Sequence, residues 1–166
     1  AAFLATVSTQ LTAISGQQMA ITTPGRPAPE PTSSTRIAEN PAACAWRRSG
    51  TTTVIDVAID PDFATEPWVY ISYAEAGSGG SGTAVARGRL SGNTLQEVSV
   101  IFRQQPKVSG SGHYGSRFVF RPDKTLFITL GERQKGSPAQ DLASHLGKVV
   151  RINRDGSVPA DNPKFR

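Results

Sequence analysis

An all-β fold is what this sequence predicts, and three observations predict it. Sixteen glycines and twelve prolines among 166 residues supply many turn formers. Hydrophobic residues at 37% and charged residues at 19% fall below the usual shares of a globular chain. Short runs of β-branched and aromatic residues recur about every 8 to 12 residues, each closed by a turn signal. The length suits one ordinary domain.

Taken in order, the elements begin ambiguously. Leu4, Val7, Leu11 and Ile14 have a helical spacing, but the many Thr and Ser among them suit a strand equally, and the assignment stays open. Five prolines between Pro24 and Pro41, with Thr32-Ser33-Ser34-Thr35 among them, read as loop or linker over 24–50. A break near Gly50 separates residues 1–50 from a domain over 51–166. There Val54 to Asp60 alternates, with Ile55, Val57 and Ile59 on one face and Asp56, Ala58 and Asp60 on the other. Pro61-Asp62 ends that strand. Trp68 to Tyr73 is the next, Gly77 to Gly82 reads as a flexible turn, and Thr83 to Leu90 as the partner strand. Val98 to Arg103, Arg117 to Phe120, Leu126 to Leu130 and Lys148 to Asn153 follow, with turns at Ser91–Asn93, Pro122–Lys124 and Arg154–Gly156. Only Ala139 to His145 looks helical. The unit of strand, Pro-Asp turn and strand appears at 54–73 and again at 117–130, which favours a β-propeller over a sandwich or barrel.

Composition excludes several classes. The formal net charge is +5, but Arg47, Arg87, Arg103, Arg117, Arg133 and Arg151 are scattered rather than clustered, which argues against nucleic acid as a partner. No apolar run approaches the roughly 18 residues of a membrane span. Cys44 is the single cysteine, so no internal disulfide is expected, and no Cys/His spacing resembles a zinc site. Ala1 to Gly25 carries no charge, so any signal peptide is expected outside this chain.

Two histidines bear chemistry. His113 lies in the glycine-rich Ser109–Ser116 loop, just before an apolar strand, where a ligand can approach the backbone and an imidazole can accept a proton near neutral pH. The alternative is a solvated or turn-stabilising histidine. Glu132, after the strand ending in Leu130-Gly131, is placed to orient His113 as a carboxylate orients a base, or else is a turn charge. His145, with Leu142 and Leu146 nearby, reads as packed and hydrogen-bonded. Asp56, Asp60, Asp62 and Glu66 lack calcium-loop spacing and read as turn acids, and Gly77 to Gly82 lacks the context of a phosphate loop. Trp68, Tyr70 and Tyr73 suggest a sugar platform, but Tyr73 falls opposite the other two, and core packing is the better reading.

A resemblance is carried by Asp56-Val-Ala-Ile-Asp-Pro-Asp-Phe63, Trp68 to Ala74, Gly82 to Gly92, Val100 to Gln104, Gly112-His-Tyr-Gly-Ser-Arg117, Leu126 to Gly131, Ala139 to Lys148 and Arg151 to Pro163. These segments, in order and in register, resemble the soluble PQQ-dependent aldose sugar dehydrogenases, relatives of soluble glucose dehydrogenase. Met19 to Arg26 is similar to that family's first-blade strand and turn. The resemblance implies a six-bladed propeller, of which this chain would be the N-terminal half with roughly two to three blades. It implies a periplasmic or secreted enzyme that holds pyrroloquinoline quinone (PQQ) with calcium and oxidises the C1 hydroxyl of aldoses to lactones for an external electron acceptor. His113 falls on the catalytic, cofactor-contacting histidine, and Glu132 stands where the family usually has Asp. Thr51 stands at a cofactor-contacting Gln, and the calcium ligands would lie beyond residue 166. Open blade edges would favour self-association. The competing expectations are a degenerate propeller that binds carbohydrate or protein without catalysis, and, on charge alone, a polyanion binder.

Overall fold

A computed structural model describes residues 10–14, 18–22 and 53–164. Its strands are β1 (Gln10–Ile14), β2 (Gln18–Thr22), β3 (Val54–Ile59), β4 (Trp68–Gly77), β5 (Gly80–Ser91), β6 (Thr94–Arg103), β7 (Gly115–Phe120), β8 (Leu126–Leu130) and β9 (Val149–Ile152). They form two antiparallel sheets, one in the order β1-β2-β6-β5-β4-β3 and one in the order β7-β8-β9. β3 to β6 make a four-stranded meander, the unit of a propeller blade, and β7 to β9 repeat its first three strands. β7 packs beside β3 and β4, so the two meanders lie blade against blade. The open segment around Leu11 is strand, as is Met19 to Thr22. Gly50, Thr51, Cys44 and the linker reading of 24–50 lie outside the described residues.

Alternation creates the core between the blades. Leu126, Ile128 and Leu130 share one face of β8 and are buried against Tyr70 and Val85 of the first sheet, with Ile152 completing the cluster. Burying each of these aliphatic side chains is worth roughly 1.5–3 kcal/mol. Tyr70 meets Phe120 edge to face, with centroids 5.1 Å apart. Val69 and Ile71 point from the other face of β4 into a cluster with Leu95, and Tyr73 points the same way toward Ala84 and Ala86. Trp68 lies beneath two guanidiniums, those of Arg87 and Arg89, 4.4 and 4.8 Å from its ring. The three aromatics are therefore packing residues. Burial pushes the Tyr70 hydroxyl up to about 12.

Charge closes the end of the blades away from His113. The Asp60 side chain is fully buried and accepts hydrogen bonds from the Tyr70 hydroxyl (3.0 Å), Arg154 Nη1 (2.8 Å) and its neighbour's Asp62 N–H (2.9 Å). Arg154 also reaches Asp62 (3.1 Å), and Lys124 Nζ pairs with Asp62 at 2.6 Å, which holds the Asp62 carboxyl below its ordinary value. Asp60 is thus more than a turn acid. Among the described residues no group of three or more His, Cys, Asp or Glu is arranged to hold a metal. No helix among them is long and apolar enough to cross a membrane.

Three expectations need correction. Ile55 is the extra residue of a β-bulge, because Val54 pairs with Tyr73 while Asp56 pairs with Ser72. Val54, not Ile55, therefore joins Val57 in the Ile71 cluster, and Ile59 is half exposed. Gly77 to Gly82 is a tight hairpin rather than a flexible turn, with Gly77 paired to Gly80 across Ser78-Gly79. Gly80 is required by proximity: a Cβ there would lie 2.3 Å from the Val108 carbonyl oxygen. Helical geometry appears at Ser137–Gln140 as a single 3-10 turn, earlier than Ala139 to His145, because Pro138 suits its start and Asp141 is already extended.

Replacing Arg154 with Met leaves the buried Asp60 carboxylate without its cation. The expected cost is roughly 3 kcal/mol of unfolding free energy, read as a lowered urea midpoint at unchanged slope; an unchanged midpoint would show that the clasp adds nothing to stability.

Candidate active site

His113 is presented on the loop between β6 and β7 in a left-handed backbone conformation, φ 51°. For a non-glycine residue that conformation costs roughly 1–2 kcal/mol, so the surroundings must hold it there. They do so through the backbone after β8. Gly131 N–H donates to the Tyr114 carbonyl at 2.9 Å, and Arg133 N–H donates to the His113 carbonyl at 3.3 Å. The two chains touch so closely that a Cβ on Gly131 would fall 1.8 Å from the His113 carbonyl oxygen. Glycine at 131 is what lets Glu132 arrive beside the ring.

His113 Nδ1 and Glu132 Oε1 are joined by a hydrogen bond. The second carboxylate oxygen accepts from the N–H groups of Lys135 (2.7 Å) and Gly136 (3.2 Å). Both oxygens are therefore committed, and the carboxylate cannot turn away. The hydrogen bond from His113 and those from the Gly136 and Lys135 backbone hold the Glu132 carboxyl below its ordinary value. A carboxylate on Nδ1 selects the tautomer with its proton there and stabilises the imidazolium when the ring takes up a second proton. Nε2 makes no hydrogen bond among the described residues, and the His113 side chain is 58% exposed. The arrangement is an exposed imidazole backed by a fixed carboxylate.

Beneath the loop lies a set of polar side chains that the sequence did not mark. Thr83 Oγ1 donates to the Tyr114 carbonyl (3.0 Å) and pairs with Ser116 Oγ (2.8 Å), while Ser72 Oγ donates to the Ser116 carbonyl (3.0 Å). Gln104 accepts from Thr83 N–H and donates to the Gly131 carbonyl, both at 3.0 Å. Ser81 and Tyr114 hydroxyls meet at 2.7 Å. As polar residues within strands they carry no motif, and only the stacking of the two sheets brings them together. His145 belongs elsewhere: its Nδ1 accepts from Gln105 N–H at 3.0 Å, its N–H donates to the Gln105 carbonyl at 2.9 Å, and its ring lies 5.3 Å from that of Phe102. It is packed and hydrogen-bonded, with partners other than the His113–Glu132 pair.

Two antiparallel sheets of propeller type thus carry a histidine hydrogen-bonded to a carboxylate at a strand end. The chain belongs to the glucose/sorbosone dehydrogenase family, whose model matches residues 13–166. It is 43% identical over 113 residues to the aldose sugar dehydrogenase YliI of Escherichia coli, a match that covers 66% of this chain and 30% of that protein. Its fold is similar to the crystal structure of the soluble aldose sugar dehydrogenase of Escherichia coli in the apo form, with a TM-score of 0.66 and 34% identity over 92% of this chain and 43% of that one. It is also similar to the PQQ-bound aldose sugar dehydrogenase of Streptomyces coelicolor, with a TM-score of 0.59 and 26% identity over 93% of this chain and 46% of that one. The chain spans about a third of the length of the curated relatives it matches.

The lowered Glu132 value has a signed consequence. Its contribution is complete above the ordinary glutamate range and is lost only as pH falls through the lowered value. A carboxyl 13C titration is expected to place the Glu132 midpoint below that of an exposed glutamate, and His113→Ala to raise it; a midpoint indifferent to the histidine would break the pairing.

Proposed function

We propose that this chain forms part of a PQQ-dependent aldose dehydrogenase in which His113 is the general base at the sugar C1 hydroxyl. The observation that carries this is the His113–Glu132 pair on an exposed side chain whose Nε2 makes no hydrogen bond among the described residues. PQQ, when bound, supplies the hydride acceptor for the oxidation of C1 to the lactone. His113 Nε2 takes the hydroxyl proton, and Glu132 keeps the other ring nitrogen protonated and offsets the charge that the imidazole gains. Substrate and cofactor come from what the relatives are: aldose sugar dehydrogenases, one of them bound to PQQ.

The residues present fit a flat, polyanionic quinone beside His113. The Lys135 ammonium stands on the same loop cluster, donating to Ser109 Oγ at 3.3 Å. Open space lies where Gly110 and Gly136 would carry a Cβ, which lets a planar ligand approach the backbone. No calcium site is assigned to the described residues. With this function goes an exported protein, periplasmic or secreted, that passes its electrons to an external acceptor.

The test is dye-coupled oxidation of a panel of aldoses by the protein that carries this chain, reconstituted with PQQ and calcium. His113→Ala is expected to keep PQQ binding and lower kcat by roughly 10²–10⁴-fold, the usual worth of a general base. Sugar oxidation undiminished in that variant would remove His113 from the chemistry. PQQ binding without any sugar oxidation in the unaltered protein would favour a propeller that binds carbohydrate or protein without catalysis.

A further inference from the structure

The side chain that follows Glu132 is a charge in an unusual place. Arg133 is 1% exposed, and arginine is almost never buried to that extent without an acidic partner. Among the described residues it has none. Its guanidinium instead donates to the carbonyls of Gly110 (2.6 Å) and Gly112, and to Ser81 Oγ (2.9 Å). Its Cζ lies over the Tyr114 ring, 3.6 Å from the centroid. Only Nε lacks a partner. Every one of these contacts falls on the His113 loop or on the hairpin that supports it, and Arg133 N–H donates to the His113 carbonyl itself.

We propose that Arg133 is a positioning residue for His113: its buried guanidinium ties down the carbonyls at 110 and 112 and clamps Tyr114, and so holds the left-handed backbone that aims the imidazole at Glu132. Adjacent residues divide the task. Glu132 meets the ring from the turn, while Arg133 passes beneath the loop and grips its backbone on both sides of Ser111. The chemistry asks for arginine in particular, because a planar fork satisfies two carbonyls and a hydroxyl while stacking on an aromatic face. Lysine is a point donor with no plane to stack. What His113 does with its Nε2 rests on the function proposed above, but its placement by Arg133 does not.

The test is readable without turnover. In the 15N-histidine-labelled protein that carries this chain, with the His113 and His145 signals assigned by substituting each histidine, His113 is expected to show a downfield Nδ1 proton from its bond to Glu132. His145, packed on Phe102 and bonded to Gln105, reports whether the fold is intact. Arg133→Met and Arg133→Lys are both expected to abolish the downfield His113 proton, with the His145 signals unchanged. A His113 signature retained in either folded variant overturns the proposal. So does loss of the His145 signals in both, since Arg133 would then support the whole domain rather than this loop. Failed sugar oxidation in the unaltered protein, with the His113 response to Arg133 intact, would count against the proposed reaction and leave the positioning role standing.

Discussion

Buried polar groups on two stacked sheets have to find each other, and that requirement governs this molecule. Between the blades the aliphatic residues of β8 settle against Tyr70 and Val85 without directional demands. At the His113 end the same interface carries Ser72, Thr83, Gln104 and Ser116, each fully buried and each hydrogen-bonded across the gap or to its own hairpin. An unsatisfied group there would cost about 1–3 kcal/mol, so the network permits one arrangement of the loop above it.

The two ends of the blade pair solve the problem differently. Away from His113, formal charges meet: Asp60 and Asp62 are held by Arg154 and Lys124, and the Tyr70 hydroxyl completes the shell of Asp60. Beneath His113, a guanidinium is held by neutral carbonyls and a ring. The second solution leaves the Glu132 carboxylate available to the imidazole, since no arginine or lysine side chain among the described residues pairs with it. An acidic partner for Arg133 would have introduced a second anion close to the histidine and competed for its proton.

Much of the fold was legible because strands write their period into the chain. Leu126 to Leu130 was read with the bounds it has, and the turns read at Ser91–Asn93, Pro122–Lys124 and Arg154–Gly156 fall where glycine, proline and aspartate announce them, except that Ser91 still belongs to β5. The bulge at Ile55 was not legible, because nothing in Val-Ile-Asp-Val says which residue the partner strand will skip. Nor was the hairpin at Ser78-Gly79, where Gly80, which looks like slack, is demanded by the Val108 backbone alongside.

The candidate site divides in the same way. His113 stood out as an imidazole among glycines, and Glu132 as an acid following a strand, so the sequence by itself determined which pair of groups was available. Arg133 resembled any scattered surface charge, Thr83 an ordinary strand residue, Ser81 part of a flexible turn and Gln104 a residue just past a strand. Their joint role depends on contacts between segments up to 52 residues apart, as between Arg133 and Ser81. Local propensity sets strands and turns; the pairing of β7 with β8 brings the imidazole to its carboxylate, and which polar side chains support that loop from across two sheets is decided only when those sheets stack.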